Sequence, residues 1–169
     1  MIRSELTLKI PLSDVSRNWA RKIQSDPVPV SIHVRRGDYV NNKRTAKMFH
    51  QLSIEYYDQA VRILKENFPE MSLYIFSNDL DWCRRIFNYD MPMNFVEGND
   101  EDHGHEDLEL MRLCRHHIIA NSTFSWWGAW LSEGIYSRAI TIAPDRHYIH
   151  ENSIHDLGRY PDRWIILKS

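Results

Sequence analysis

Val28-Pro29-Val30-Ser31-Ile32-His33-Val34-Arg35-Arg36-Gly37-Asp38-Tyr39 is the stretch from which the fold can be read. Val28, Val30, Ile32 and Val34 alternate with Pro29, Ser31, His33 and Arg35, which is the period-two pattern of a strand with one apolar face. His33 and Arg35 therefore point the same way. Downstream, Tyr57, Ala60, Val61 and Leu64 fall at helical spacing behind Ser53 as a cap. The uninterrupted apolar run Leu73-Tyr74-Ile75-Phe76 then predicts a buried strand. The order is strand, crossover helix, strand.

The unit repeats. Trp82, Cys83, Ile86 and Phe87 predict a short helix after Asn78-Asp79, a weak strand falls near Phe95-Val96, and Leu110, Met111 and Cys114 mark another helix. A strand is expected at Ile118-Ile119-Ala120. Phe124, Trp127, Trp130 and Leu131 line one face of a helix that stops at Gly134, and a last strand covers Ala139 to Ala143. Alternation of this kind implies an α/β fold, a Rossmann-like and mainly parallel sheet with helices on both faces. A helix around Val15 to Ile23 makes residues 1–25 a lead-in that belongs to something else, with the main domain at 26–169. Gly98 to Gly104 is the best candidate for a mobile loop.

Bulk properties narrow the function. The 169 residues suit one ordinary domain, and 21 basic against 23 acidic residues leave a net charge of -2. That balance argues against a general nucleic-acid or anionic-membrane binder, so any anion site must be local. Cys83 and Cys114 each sit in an apolar helical pattern and read as core residues of a reducing compartment. No run of about 18 apolar residues occurs, and Met1 to Leu6 lacks the features of a secretory signal. The expected location is cytoplasmic.

Ligands of an open parallel sheet bind beyond the carboxyl ends of its strands, where Arg35-Arg36-Gly37-Asp38 is expected. Two guanidiniums suit a diphosphate, Gly37 lets the backbone approach or turn, and Asp38 can orient an arginine or take a proton. The plainer alternative is a surface salt-bridge cluster. The tripeptide Arg36-Gly37-Asp38 is also that of adhesion ligands, a match that reads as chance. Asn121-Ser122-Thr123-Phe124-Ser125, between a strand and a helix, offers hydroxyls and free N–H groups for a phosphate, although simple N-capping explains it equally well. Asp107 shares the inward face of its helix with Met111 and Cys114 while sitting in the first turn, so it needs a partner. The helix dipole or the N–H edge of a purine would each serve. The histidines of His103-Gly104-His105 lack the spacing of a helical ligand pair, and no metal is assigned. His116-His117 reads as a helix end.

Taken together, His33 to Tyr39, Phe76-Ser77-Asn78-Asp79 with Trp82-Cys83, Asp107 to Met111, and the long block His117 to Leu131 resemble the alpha-1,2-fucosyltransferases of glycosyltransferase family 11. The resemblance runs from about Val28 to the Trp164 region. It implies the nucleotide-sugar-binding half of a GT-B enzyme that moves L-fucose from GDP-fucose to the 2-hydroxyl of a galactose-terminated glycan, with inversion and no required metal or other cofactor. It further implies that Arg35 binds the β-phosphate, that His33 and Asp107 lie near the guanosine, and that Ser122 and Thr123 complete the phosphate cradle. Arg36 is carried as a donor-binding residue beside Arg35.

Arg35 and Asp38 are the catalytic candidates, one as the fixed positive charge and the other as the base. The family's Gly-Gly-Leu-Gly-Asn-Gln type of stretch and its acceptor-side domain do not occur in these residues. Donor binding is thus expected more firmly than turnover, and a catalytically idle GDP-sugar-binding module is the alternative. Peripheral membrane association enters only through the family.

Overall fold

The computed structural model describes residues 2–37, 46–99, 101–149 and 158–169. The elements run α1 (Ile2–Glu5), α2 (Asp14–Ser25), β1 (Pro29–Val34), α3 (Ile54–Asn67), β2 (Ser72–Ser77), α4 (Leu80–Ile86), β3 (Met93–Phe95), a 3-10 turn, α5 (Gly104–Leu113), β4 (His116–Ile118), α6 (Thr123–Ser132), β5 (Thr141–Pro144) and β6 (Ile165–Leu167). All six strands are parallel, in the order β3-β2-β1-β4-β5-β6. The sheet is open and α/β, as the alternation of patterns implies.

Local chemistry explains where the helices begin. Ser53 and Asp79 cap α3 and α4 by accepting from the N–H groups of Tyr56 and Trp82, which satisfies donors the helix itself leaves orphaned. Period-two side chains then divide the core. Val30, Ile32, Leu73, Ile75, Ile118 and Ile142 pack with Ala60, Val61 and Leu64 of α3. Tyr74 and Phe76, of opposite parity, pack with Ala20 and Ile23 of α2 and Leu110 and Met111 of α5. Cys83 and Cys114 are buried thiols.

Four expectations need correction. β1 has no polar outer face, because every residue in it is buried. It is a central parallel strand covered on both sides, and Ser31 is accommodated by a 2.7 Å hydrogen bond with His117 Nδ1. His116 and His117 do not end a helix. They open β4 with both rings buried, since α5 stops at Leu113 and the chain re-enters the sheet at once.

On α6, Trp127 is 37% exposed, while Ser125, Gly128, Ala129, Leu131 and Ser132 face inward. The helix docks so closely on α5 that large side chains are displaced to its flanks. The lead-in helix, finally, is part of this body: α2 contributes Ala20 and Ile23 to the core, and Ser13 at its cap gives its N–H and hydroxyl to Glu106 at 2.9 and 2.6 Å. The edge strand β6 carried no readable pattern, because Ile165 and Ile166 are exposed and only Leu167 is buried.

Burial of imidazoles gives the fold a pH dependence. Desolvation, aided by Arg35, pulls His33 down to about 3, and desolvation pulls His117 and His116 down to about 3 and 4. The folded chain keeps these rings neutral while the unfolded chain protonates them below about pH 6.5, so stability is full above that pH and is lost as pH falls toward 4. Asp107, whose carboxyl is raised chiefly by burial, works in the opposite direction. Denaturant unfolding at pH 7 and pH 5.5 should show a loss of about 1 kcal/mol for each buried histidine. His117→Asn should flatten the dependence by one such step.

Candidate functional site

The sheet order reverses at β1, whose neighbours are β2 on one side and β4 on the other, and the carboxyl ends of strands at such a point leave a crevice. A cleft of about 640 Å³ lies there. It is within the size range of small-molecule sites. His33 and Arg35 enter it from the end of β1, Phe76, Ser77 and Asn78 from the end of β2, Asp107 and Met111 from α5, and Phe124 from α6. A larger groove of about 720 Å³ runs between α3 and Asn88–Met91, toward the amino ends of the strands. Its rims are largely solvated side chains of both signs, including Glu55, Asp58, Arg62 and Lys65, above the buried aliphatic Val61. The strand-end cleft is therefore the better candidate.

Each wall of the cleft has a structural support. His33 is 5% exposed, its carbonyl accepts from Tyr57 Oη at 3.3 Å, and its ring tilts against Phe124 with centroids 5.7 Å apart. Nδ1 of His33 has no hydrogen-bond partner among the described residues. That nitrogen is itself buried, so it is the ring as a whole, neutral and packed on Phe124, that borders the cleft. Asp107 is half-buried, and its Oδ1 accepts from Asn99 Nδ2 at 2.7 Å. Burial raises its carboxyl, Glu106 adds to the rise, and Asn99 opposes both. Asn99 is in turn held by Ser16 of α2, through contacts of 3.0 and 3.2 Å. Part of the segment expected to be a mobile loop is thus a wall of the cleft, tied to the N-terminal helix.

The sequence candidates separate into groups. His33, Arg35 and Asp107 meet in one cleft although they come from three places in the chain. Arg36 does not line this cleft but a smaller one with Gln51, Leu52, Tyr57 and Trp82, which Arg35 borders as well. There its Nε is 3.5 Å from Asp79 Oδ2 and its guanidinium lies 4.5 Å over the Trp82 ring. Ser122 caps α6 by accepting from Phe124 N–H at 3.3 Å, and Thr123 is exposed on the first turn. Both stand beside Phe124 without lining the cleft. Asp38 lies outside the described residues.

Sequence reasoning passed over Asn78, Asn99 and Phe124 as site residues. Asn78 was accessible to the rule that singled out Arg35, since it follows directly on β2. Asn99 carried no local signal, because its role depends on contacts with α2 and α5. Among the described residues no three His, Cys, Asp or Glu side chains are grouped to hold a metal.

An open parallel sheet with an arginine, a buried histidine and a carboxylate converging over its switch point defines a doubly wound α/β domain with a candidate ligand cleft. The chain belongs to glycosyl transferase family 11, whose model matches residues 2–167. It is 39% identical over 140 residues to an alpha-1,2-colitosyltransferase of Escherichia coli, covering 80% of this chain and 46% of that protein. It is 36% identical over 123 residues to the O-antigen biosynthesis glycosyltransferase WbnK of Escherichia coli, covering 72% and 40%. Similarity extends to galactoside alpha-(1,2)-fucosyltransferase 2 of Bos taurus, 29% identical over 155 residues and covering 88% and 45%. The chain spans less than half the length of these relatives.

Proposed function

We propose that this chain is the donor-binding part of an inverting alpha-1,2-fucosyltransferase of the GT-B type, and that the strand-end cleft takes GDP-fucose. The observation that carries the reading is the convergence of Arg35, His33 and Asp107 in one cleft at the sheet's switch point, within a family 11 chain. Arg35 faces the β-phosphate. Asp107 and the neutral ring of His33 face the guanine, whose N1–H and amino group match a carboxylate acceptor.

In the transfer, the 2-hydroxyl oxygen of a galactose attacks C1 of the sugar while the C1–O bond to the diphosphate breaks and its electron pair passes to a β-phosphate oxygen. A preorganised guanidinium binds that growing charge more tightly than the ground state, which is how a binding residue lowers a barrier. The hydroxyl proton goes to a base on the opposite face of the sugar, a role proposed for Asp38.

A colitosyl group is the second reading for the sugar, favoured by the 39% identity to the colitosyltransferase. Transfer assays on the intact enzyme with both donors and a terminal galactoside distinguish the two. Activity with neither donor rejects both sugars. The guanine assignment has its own test: Asp107→Asn should weaken GDP about tenfold and narrow the preference for GDP over ADP, because an amide keeps one acceptor but turns a donor toward the second of guanine's donors. Unchanged discrimination in competition titrations would remove Asp107 from the guanine end.

A further inference from the structure

The loop that carries Arg35 is gripped by the corner where β2 passes into α4. Asn78 turns its side-chain carbonyl toward two consecutive backbone N–H groups, those of Arg36 and Gly37, and accepts from both at 3.0 Å. Two donors on one oxygen fix the orientation of adjacent peptide planes, which a single contact would leave free to rotate. Gly37 permits the approach: a Cβ there would lie 3.0 Å from Asn78 Nδ2 and 3.2 Å from the Asn78 backbone carbonyl oxygen. The next residue of the corner, Asp79, caps α4 at Trp82 N–H and stands 3.5 Å from Arg36, whose guanidinium also lies over the Trp82 ring. The backbone of Arg36-Gly37 and the side chain of Arg36 are thereby fastened to one corner. Arg35 is left on the cleft side, next to Asn78, in the cleft that both line.

We infer that Asn78 is a positioning residue for Arg35: by holding the Arg36 and Gly37 amides it sets the direction from which the arginine meets the diphosphate. The inference rests on the donor-site reading, and goes beyond it in giving the β2–α4 corner a part in the site. Holding an anion partner at a fixed point matters more than its mere presence, because small misplacements of a charged group cost rate and affinity steeply.

Titration of the folded chain with GDP and with guanosine, followed by NMR, tests it. Asn78→Ala should weaken GDP about tenfold, the size expected for losing the hydrogen bonds that orient a charged partner. Guanosine, which has no phosphate for Arg35, should bind unchanged. Gly37→Ala should reproduce the GDP-selective loss by pushing the amides away. In an Arg35→Ala background, Asn78→Ala should add nothing. The inference is overturned if Asn78→Ala binds GDP like the wild type while Arg35→Ala does not. An equal loss of guanosine binding, or losses that add in the double variant, would overturn it too. If the wild type and Arg35→Ala alike fail to bind GDP, the donor-site reading itself falls.

Discussion

Arg35→Ala is expected to weaken GDP binding on the order of 100-fold while leaving thermal stability nearly unchanged. Truncating an arginine that binds an anion removes charge-assisted hydrogen bonds and leaves the diphosphate poorly compensated, a cost of about 3 kcal/mol. Arg35 stands past the end of β1, outside the hydrophobic core clusters, so the fold has little to lose. Calorimetric titration of wild type and variant, with their melting curves, separates the two effects. Arg36→Ala should behave differently, losing its contacts with Asp79 and Trp82 and disturbing the loop rather than removing a phosphate ligand. Equal GDP affinity in the Arg35 variant would reassign the phosphate end of the cleft.

Gly128→Val should be the most damaging single change to the packing behind the site. A Cβ at Gly128 would lie 3.0 Å from Met111 Cβ and 3.3 Å from its sulfur, with Leu108 at 3.7 Å. The sulfur can swing aside, but Met111 Cβ is fixed to its helix, so α5 and α6 must separate. Overpacking of this kind costs roughly 2–3 kcal/mol. Because α5 carries Asp107 and α6 carries Phe124, parting them also opens the cleft. Denaturant unfolding should show the lost stability, and GDP titration a weaker complex. A variant as stable as the wild type would mean that the two helices do not meet at this glycine.

Much of the fold was open to reading because its central elements are strongly patterned. The buried run at Leu73 to Phe76, the capped helix after Ser53 and the apolar positions of α5 are dictated by burial and periodicity, and each appears where that pattern put it. The failures have a common cause, which is that tertiary contact decided the outcome. His116 and His117 look polar and terminal, yet partners such as Ser31 and the Ile140 amide let them enter a central strand. Trp127 looks like core, yet the close α5–α6 contact reserves the inside of α6 for small residues.

At the cleft, the strand-end rule pointed to Arg35 and helical phase to Asp107, both of which line it. Arg36 shows the limit of such reading. Two adjacent arginines suggest a pair of phosphate ligands, but neighbouring side chains at a strand end diverge, and Asp79 with Trp82 takes the second one. Asn99 and Ser16 could not be linked to Asp107 without knowing that α2 lies against α5.

The claim on which the rest depends is that the cleft at the carboxyl ends of β1 and β2 is the donor site. A crystal structure of the chain with GDP tests it most directly. The diphosphate should lie against Arg35 and the guanine between His33 and Asp107. Nucleotide in the groove between α3 and Asn88–Met91, or none in the strand-end cleft at saturating GDP, would contradict it.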